Sequence, residues 1–190
     1  PLVERAGGCW LRHAPGCAWW VGTVLPHGGG DLAERVAAAE RFYEERGAPA
    51  RFQVSPGACP EGLDELLAAR GYRRGGTMSL LVGTPPAGSP AARVDDHPTR
   101  AWFDAWHAVH GGDPDAEREL LGRVRQPSAY ASVALDGEVV AVGRAVADTG
   151  WVGVFGMGTL PAARGAGAAR AVLAALAGWA GGDRMYLQVE

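Results

Sequence analysis

Thr159-Leu-Pro-Ala-Ala-Arg-Gly-Ala-Gly-Ala-Ala-Arg170 is the stretch on which the fold turns. It stands between a strand-like run, Trp151 to Thr159, and a helix-like run, Ala168 to Trp179. A strand that ends in a proline and a loop of small residues, then opens a helix, makes a pocket for a pyrophosphate. The unpaired N–H groups of the first helical turn point at the anion, and the helix dipole favours negative charge there. Gly165, Ala166, Gly167, Ala168 and Ala169 let the backbone approach phosphate oxygens closely, and Arg164 can add a charge-assisted hydrogen bond.

Outward from the loop, Tyr130 to Leu135 and Glu138 to Ala147 read as strands joined by Asp136-Gly137, the strongest short hairpin signal. Asp148-Thr-Gly150 is a second tight turn, so three antiparallel strands feed the loop. After the helix, Arg184-Met-Tyr-Leu-Gln-Val-Glu190 has the pattern of a buried strand. Two other nucleotide loops fit less well. Gly165-Ala-Gly167 begins like a dinucleotide fingerprint, but Arg170 stands where a third small residue is needed, and an antiparallel meander precedes it. No Lys-Ser/Thr follows the glycines, which excludes a nucleoside-triphosphate loop. The remaining alternative is that the small residues only let a helix pack tightly on a sheet.

The Arg-x-x-Gly-x-Ala spacing from Arg164 to Ala169, with Pro161 three residues ahead, resembles the acetyl-CoA signature of the GNAT superfamily of N-acetyltransferases. The order of meander, loop, helix and strand from about Arg93 to Glu190 is similar to the GNAT core. The resemblance implies an α/β (α+β) fold with a mixed, mostly antiparallel sheet flanked by helices. It also implies acetyl-CoA as co-substrate, no metal, and direct attack of an amine on the thioester carbonyl. Met157, Gly158 and Thr159 are then expected to line the pantetheine arm, with Arg164 to Ala169 on the pyrophosphate.

That chemistry needs a proton acceptor for the ammonium, a backbone donor for the developing oxyanion and an acid for the thiolate. Many members of the family carry a glutamate on the strand before the loop, but Trp151 to Thr159 contains no titratable acid. The candidates are His107 and His110, on or just after the helix-like segment Thr99 to Val109, and Glu190 at the chain end. An unperturbed histidine pKa of about 6.5 suits a base. Trp102, Phe103 and Trp106 have helical spacing, which fits either a wall of the acceptor pocket or a face packed on the sheet. The acceptor stays open among a small-molecule amine, an aminoglycoside-like amine, an amino acid and a protein or peptide N-terminus. The alternative to an enzyme is a CoA-binding pseudoenzyme or a non-catalytic structural domain.

Composition sets bounds. The 190 residues, 47% of them hydrophobic, suffice for one domain or two small ones with a real core. Lysine, isoleucine and asparagine are absent, a bias that lowers the information carried by each Ala, Gly and Arg. A net charge of −3 and unclustered arginines give no electrostatic case for nucleic acid. No apolar run reaches the roughly 18 residues of a membrane span, and the first residues lack a signal-peptide pattern. Three cysteines at irregular spacing form no disulfide framework, and Pro15-Gly16 breaks any helix that would gather Cys9, His13 and Cys17 as metal ligands. Reduced thiols fit a cytoplasmic setting.

The first half reads as a faded copy of the second. Leu25-Pro26, a glycine-rich turn, the helix-like Asp31 to Arg46 and the strand Arg51-Phe-Gln-Val-Ser55 follow the order of Leu160-Pro161, loop, helix and strand. The spacing from Pro26 to Val54 equals that from Pro161 to Val189, and the same shift pairs Gln53 with Gln188. It also sets Gly29 opposite Arg164, Leu32 opposite Gly167 and Glu34 opposite Ala169, so this copy is expected not to hold CoA. Residues 1–83 are therefore read as a degenerate GNAT-like domain and 84–92 as a proline-rich linker. Residues 93–190 are read as the acetyl-CoA-binding domain. The first copy continues through Pro60 to Arg70, Gly71-Tyr72 and a strand to Val82, similar to the closing third of a GNAT domain. The second copy stops before that helix and those strands. Its sheet is expected to be covered by further chain, by a second molecule in a homo-oligomer, or by its own first half.

Overall fold

The computed structural model describes residues 2–83, 91–181 and 184–189. The chain divides into two compact units, Pro1–Gly75 with Asp115–Leu120, and Gly76–Pro114 with Leu121–Glu190.

In the first unit, β1 (Leu2–Ala6) and β2 (Cys9–His13) form a hairpin across Gly7-Gly8. Both glycines have positive φ, 55° and 71°, which suits a two-residue turn between right-twisted strands. β3 (Val24–Pro26) adds antiparallel to β2. α1 (Leu32–Glu44) lays Ala39, Phe42 and Tyr43 on Cys9, Leu11 and Val24, and α2 (Leu63–Ala69) packs Leu63 and Leu67 against Val36. The Tyr43 hydroxyl donates to the Arg12 carbonyl at 2.7 Å, which ties α1 to β2. The buried Glu117 carboxylate accepts from the Ala18 N–H at 2.6 Å, so residues 115–120 join this unit from far along the chain. The strand expected over Arg51–Ser55 shrinks to a single parallel bridge between Phe52 and Val24. Pro56 and Gly57, the latter at φ 76°, turn the chain away before a ladder can form.

The second unit is a six-stranded sheet in the order β4-β9-β8-β7-β6-β5. Its elements are β4 (Ser79–Gly83), β5 (Arg93–Asp95), α3 (Arg100–His110), β6 (Ser128–Leu135), β7 (Glu138–Asp148), β8 (Trp151–Thr159), α5 (Ala168–Ala180) and β9 (Arg184–Val189). Between α3 and β6 lies α4 (Pro114–Gly122), which the sequence reading missed. All neighbours are antiparallel except β8 and β9. The two turns expected from sequence are made with Asp136, Gly137, Thr149 and Gly150 at positive φ.

Strand alternation sorts the side chains onto two faces. Ala129, Ala131, Ala141, Ala145, Val152 and Val154 pack on Val172, Ala175 and Leu176 of α5. Tyr130 and Val142 pack on Trp102, Phe103 and Trp106 of α3. α3 and α5 therefore cover opposite faces, and the three aromatic residues of α3 are core. Trp102, 1% exposed, also donates its indole N–H to the carbonyls of Ala131 and Gly143 at 3.0 and 3.2 Å.

β4 comes before the linker in sequence, yet it pairs antiparallel on the outer side of β9. An open strand edge is a ready template for pairing, and here the chain uses its own segment. Of the linker, residues 84–90 lie outside the described residues, and β5 begins at Arg93.

Candidate functional site

β8 lies between β7 and β9 but follows only β7 to its end. Its ladder with β9 runs from Trp151 opposite Arg184 to Val154 opposite Leu187 and stops. β7 stays paired as far as Ala141 opposite Thr159, while β9 stays on β4 through Val189. From Phe155 onward the two central strands part, each held by its outer neighbour. The cause is local. The β7–β8 register shifts between Val142 and Arg144, so that Gly156 and Met157 oppose the single residue Gly143. Such a bulge bends the strand and sharpens its twist. Gly156 takes φ 60°, and a Cβ there would lie 2.8 Å from Trp106 Nε1, so only glycine fits. Met157 packs on the α5 face, whereas a Cβ on Gly158 would meet Val109 at 3.3 Å and His110 Nε2 at 3.4 Å. Met157, Gly158 and Thr159 thus form the arm of the fork held by β7.

Past Thr159 the chain makes a short turn, Pro161–Ala163, and enters the loop before α5. Gly165 and Gly167 have φ of 82° and 81°, with Ala166 between them at negative φ. Left-handed glycines next to right-handed residues are a feature of backbone concavities that receive anions. Backbone N–H groups from Gly165 to Arg170 have no acceptor among the described residues, and the helical ladder starts with Ala171 N–H on the Gly167 carbonyl at 3.0 Å. The first turn of α5 has no acidic residue and no side-chain cap. Arg164 folds over the loop, its Nε donating to the Thr159 carbonyl at 3.3 Å, and Arg170 is exposed in the first turn. Dipole and side chains therefore favour an anion here.

The start of α1 is built the other way. Asp31 caps it, one carboxylate oxygen accepting from Glu34 N–H at 2.8 Å, and Glu34 adds a second negative charge. The glycine loop ahead of it turns carbonyls inward. Arg35, 4% exposed, donates to the carbonyls of Gly8, His27 and Gly28 at 2.6, 2.5 and 2.9 Å. This loop holds the chain's own cation where the α5 start offers N–H groups.

Of the residues expected to move protons, His107 is engaged at the end of its helix. Its Nε2 lies 2.9 Å from the Gly112 carbonyl and its ring stacks on Phe103. His110, one turn on, lies against β8. Burial lowers its pKa, and the backbone of Met157 and Gly156 partly offsets this. The imidazole is therefore neutral at pH 7 and can accept a proton. Glu190 lies outside the described residues. Cys9 and His13 stand at opposite ends of β2, and among the described residues no group of three or more His, Cys, Asp or Glu could hold a metal. No helix among them is long and apolar enough to cross a membrane.

Sequence reasoning missed the bulge and the aromatic layer beside it. On the α3 face the Phe155 ring and the Tyr186 hydroxyl fill the space a side chain at Gly153 would take, 2.5 and 2.7 Å from its Cβ position. The available signal was the run of glycines at 153, 156 and 158, since glycine inside a strand marks a bulge or a close approach.

A model of the Acetyltransferase (GNAT) family matches residues 92–190. Among solved structures, a GCN5-related N-acetyltransferase from Kribbella flavida superposes with a TM-score of 0.67 at 20% identity, over 99% of this chain and 79% of that one. A conserved protein of unknown function from Staphylococcus epidermidis ATCC 12228 gives 0.62 at 10% identity, over 98% and 82%. A GCN5-related N-acetyltransferase from Sphaerobacter thermophilus gives 0.61 at 18% identity, over 83% of this chain and 58% of that one. At these identities the structural likeness is one of fold. No curated protein matches the chain by sequence.

Proposed function

The chain belongs to the acetyltransferase (GNAT) family, and from that membership we propose that residues 93–190 bind acetyl-CoA and transfer its acetyl group to an amine by direct attack. The observation that carries the proposal is one continuous path. The fork between β8 and β9 opens at Phe155 and runs along Met157, Gly158 and Thr159 to the glycine loop and the start of α5. On this reading the β8 backbone lines the pantetheine arm, and the N–H groups of Gly165 to Ala169, with Arg164, hold the pyrophosphate. Bound acetyl-CoA supplies the activated thioester. Backbone N–H groups on the free edge of β8 steady the carbonyl oxygen as charge develops there, without reorganisation. His110 accepts the ammonium proton at its unprotonated ring nitrogen. One C–N bond forms for one C–S bond broken, and the amine's proton ends on the released thiol.

Residues 1–83 we read as a degenerate copy that does not bind CoA. Its support is the order of β3, glycine loop and α1, the parallel bridge between Val24 and Phe52, and the guanidinium of Arg35 lodged in the loop. The acceptor is a small-molecule or peptide amine rather than nucleic acid, given the net charge of −3. Three free cysteines accord with a reducing, cytoplasmic setting.

The test is thiol release from acetyl-CoA across a panel of amines, with the chain and its His110→Gln variant. Amine-dependent release that falls about 10²-fold in the variant supports the reading. Binding of acetyl-CoA with no amine-dependent release points instead to a pseudoenzyme.

A further inference from the structure

The α3 face of the sheet carries a guanidinium that meets no anion among the described residues. Arg144 stands on β7, opposite Tyr130 of β6 and Phe155 of β8, so its side chain leaves the sheet on the face of Tyr130 and Val142. Its Cζ lies 5.6 Å from the Phe155 ring centroid, and its Nη1 is buried with no hydrogen-bond partner among the described residues. The groups around it do not neutralise it. Asp148, further along β7, is exposed and acts on the Tyr186 hydroxyl, and His110 on α3 is neutral at pH 7. The neighbours that the strands set beside it on this face, Tyr130, Val142, Val146 and Phe155, carry no charge. Withdrawing a guanidinium N–H from water without a partner is costly. The buried Arg35 of the first unit, by contrast, donates to three carbonyls.

Its position gives the unmet donor a use. Phe155 is the residue at which β8 parts from β9, one before the bulge, and it is 38% exposed. Tyr186 of β9 meets that ring edge-on at 6.0 Å. A planar cation, an open aromatic ring and a phenol thus border the end of the fork. Arginine's fork of donors matches the two oxygens of a carboxylate, and an aromatic neighbour suits the apolar remainder of such a molecule.

Resting on the acyl-transfer reading of this fork, we propose that Arg144 binds a carboxylate of the acceptor, so that the substrate is an amine that also carries a carboxylate, of the α-amino acid class. Phe155 and Tyr186 pack on its side chain.

Binding tests this independently of turnover. The CoA-loaded chain is titrated calorimetrically with matched pairs such as phenylalanine and phenylalaninamide, or leucine and leucinamide, using the unaltered chain, Arg144→Gln and Arg144→Lys. For the unaltered chain the acid should bind about tenfold or more tightly than its amide, the worth of a hydrogen bond to a charged group. Arg144→Gln should abolish that preference and Arg144→Lys retain part of it. An unaltered chain that binds acid and amide alike, or neither member of any pair, overturns the proposal without reference to a variant. A preference that survives in Arg144→Gln overturns it as well. Failure to bind CoA, or to release thiol with any amine, charged or not, brings down the acyl-transfer reading itself and this inference with it.

Discussion

His107 and His110 stand three residues apart on α3, yet one is spent on the Gly112 carbonyl and the other lies against β8. A base whose pKa is lowered by burial is unprotonated over most of the neutral range. The acid limb of kcat/KM should therefore have its inflexion below the ordinary histidine value of about 6.5. His110→Gln should remove that limb, and His107→Gln should leave it in place. The same lowering acts on stability. Below about pH 6.5 the unfolded chain takes up the proton first, so the contribution of His110 is present above that pH and is lost as pH falls through the native pKa. Denaturant titrations at pH 5 and pH 7, with and without His110→Gln, would reveal it. Arg164, exposed on the loop, should matter less: Arg164→Ala is expected to weaken acetyl-CoA binding by about 1.5 kcal/mol, the low end for a hydrogen bond to a charged group. The turn made by Gly165 and Gly167 was legible in the sequence because left-handed backbone favours glycine. Arg144 was not, because its isolation depends on which residues the register sets beside it.

Among the elements, the bulge in β8 shapes the fork, and Gly156→Ala is its direct probe. The methyl group would take a positive φ and press on Trp106 Nε1, at a cost of about 1 to 3 kcal/mol in stability. Closing the bulge would also lengthen the β8–β9 ladder into the fork, so acetyl-CoA affinity should fall together with stability. A variant that loses stability but keeps full affinity would show that the bulge is not what opens the site. The strands and turns of the second unit could be read from alternation and from Asp136-Gly137 and Thr149-Gly150, which are local signals. The register shift at Gly143 could be read only in part: glycines 153, 156 and 158 signal a bulge, but its position is a relation between two strands. α4 could not be read, with one buried residue, Glu117, whose partner Ala18 is distant in sequence.

At the scale of the whole molecule the order of the chain and the order of the sheet disagree, since β4 precedes the linker yet completes the sheet of the second unit. A fragment spanning residues 91–190 should therefore unfold at a lower urea concentration than the whole chain, and adding back residues 76–83 should recover part of the loss. Equal midpoints would mean that β4 is dispensable. The placement of Ser79–Gly83 could not be read from the sequence, because it depends on an open edge elsewhere in the fold. The two glycine loops allow the central claim to be tested with an internal control. Neither Gly29 nor Gly167 has a neighbour within 4 Å of a Cβ, so an aspartate at either meets no side chain, while at Gly167, φ 81°, it also takes a strained backbone whose effect a Gly167→Ala variant measures separately. Calorimetry with acetyl-CoA should show binding to the unaltered chain and to Gly29→Asp. In Gly167→Asp the carboxylate would face the pyrophosphate, and binding should be lost. Unchanged affinity in Gly167→Asp, or loss in Gly29→Asp alone, would contradict the assignment of the acetyl-CoA site to the start of α5.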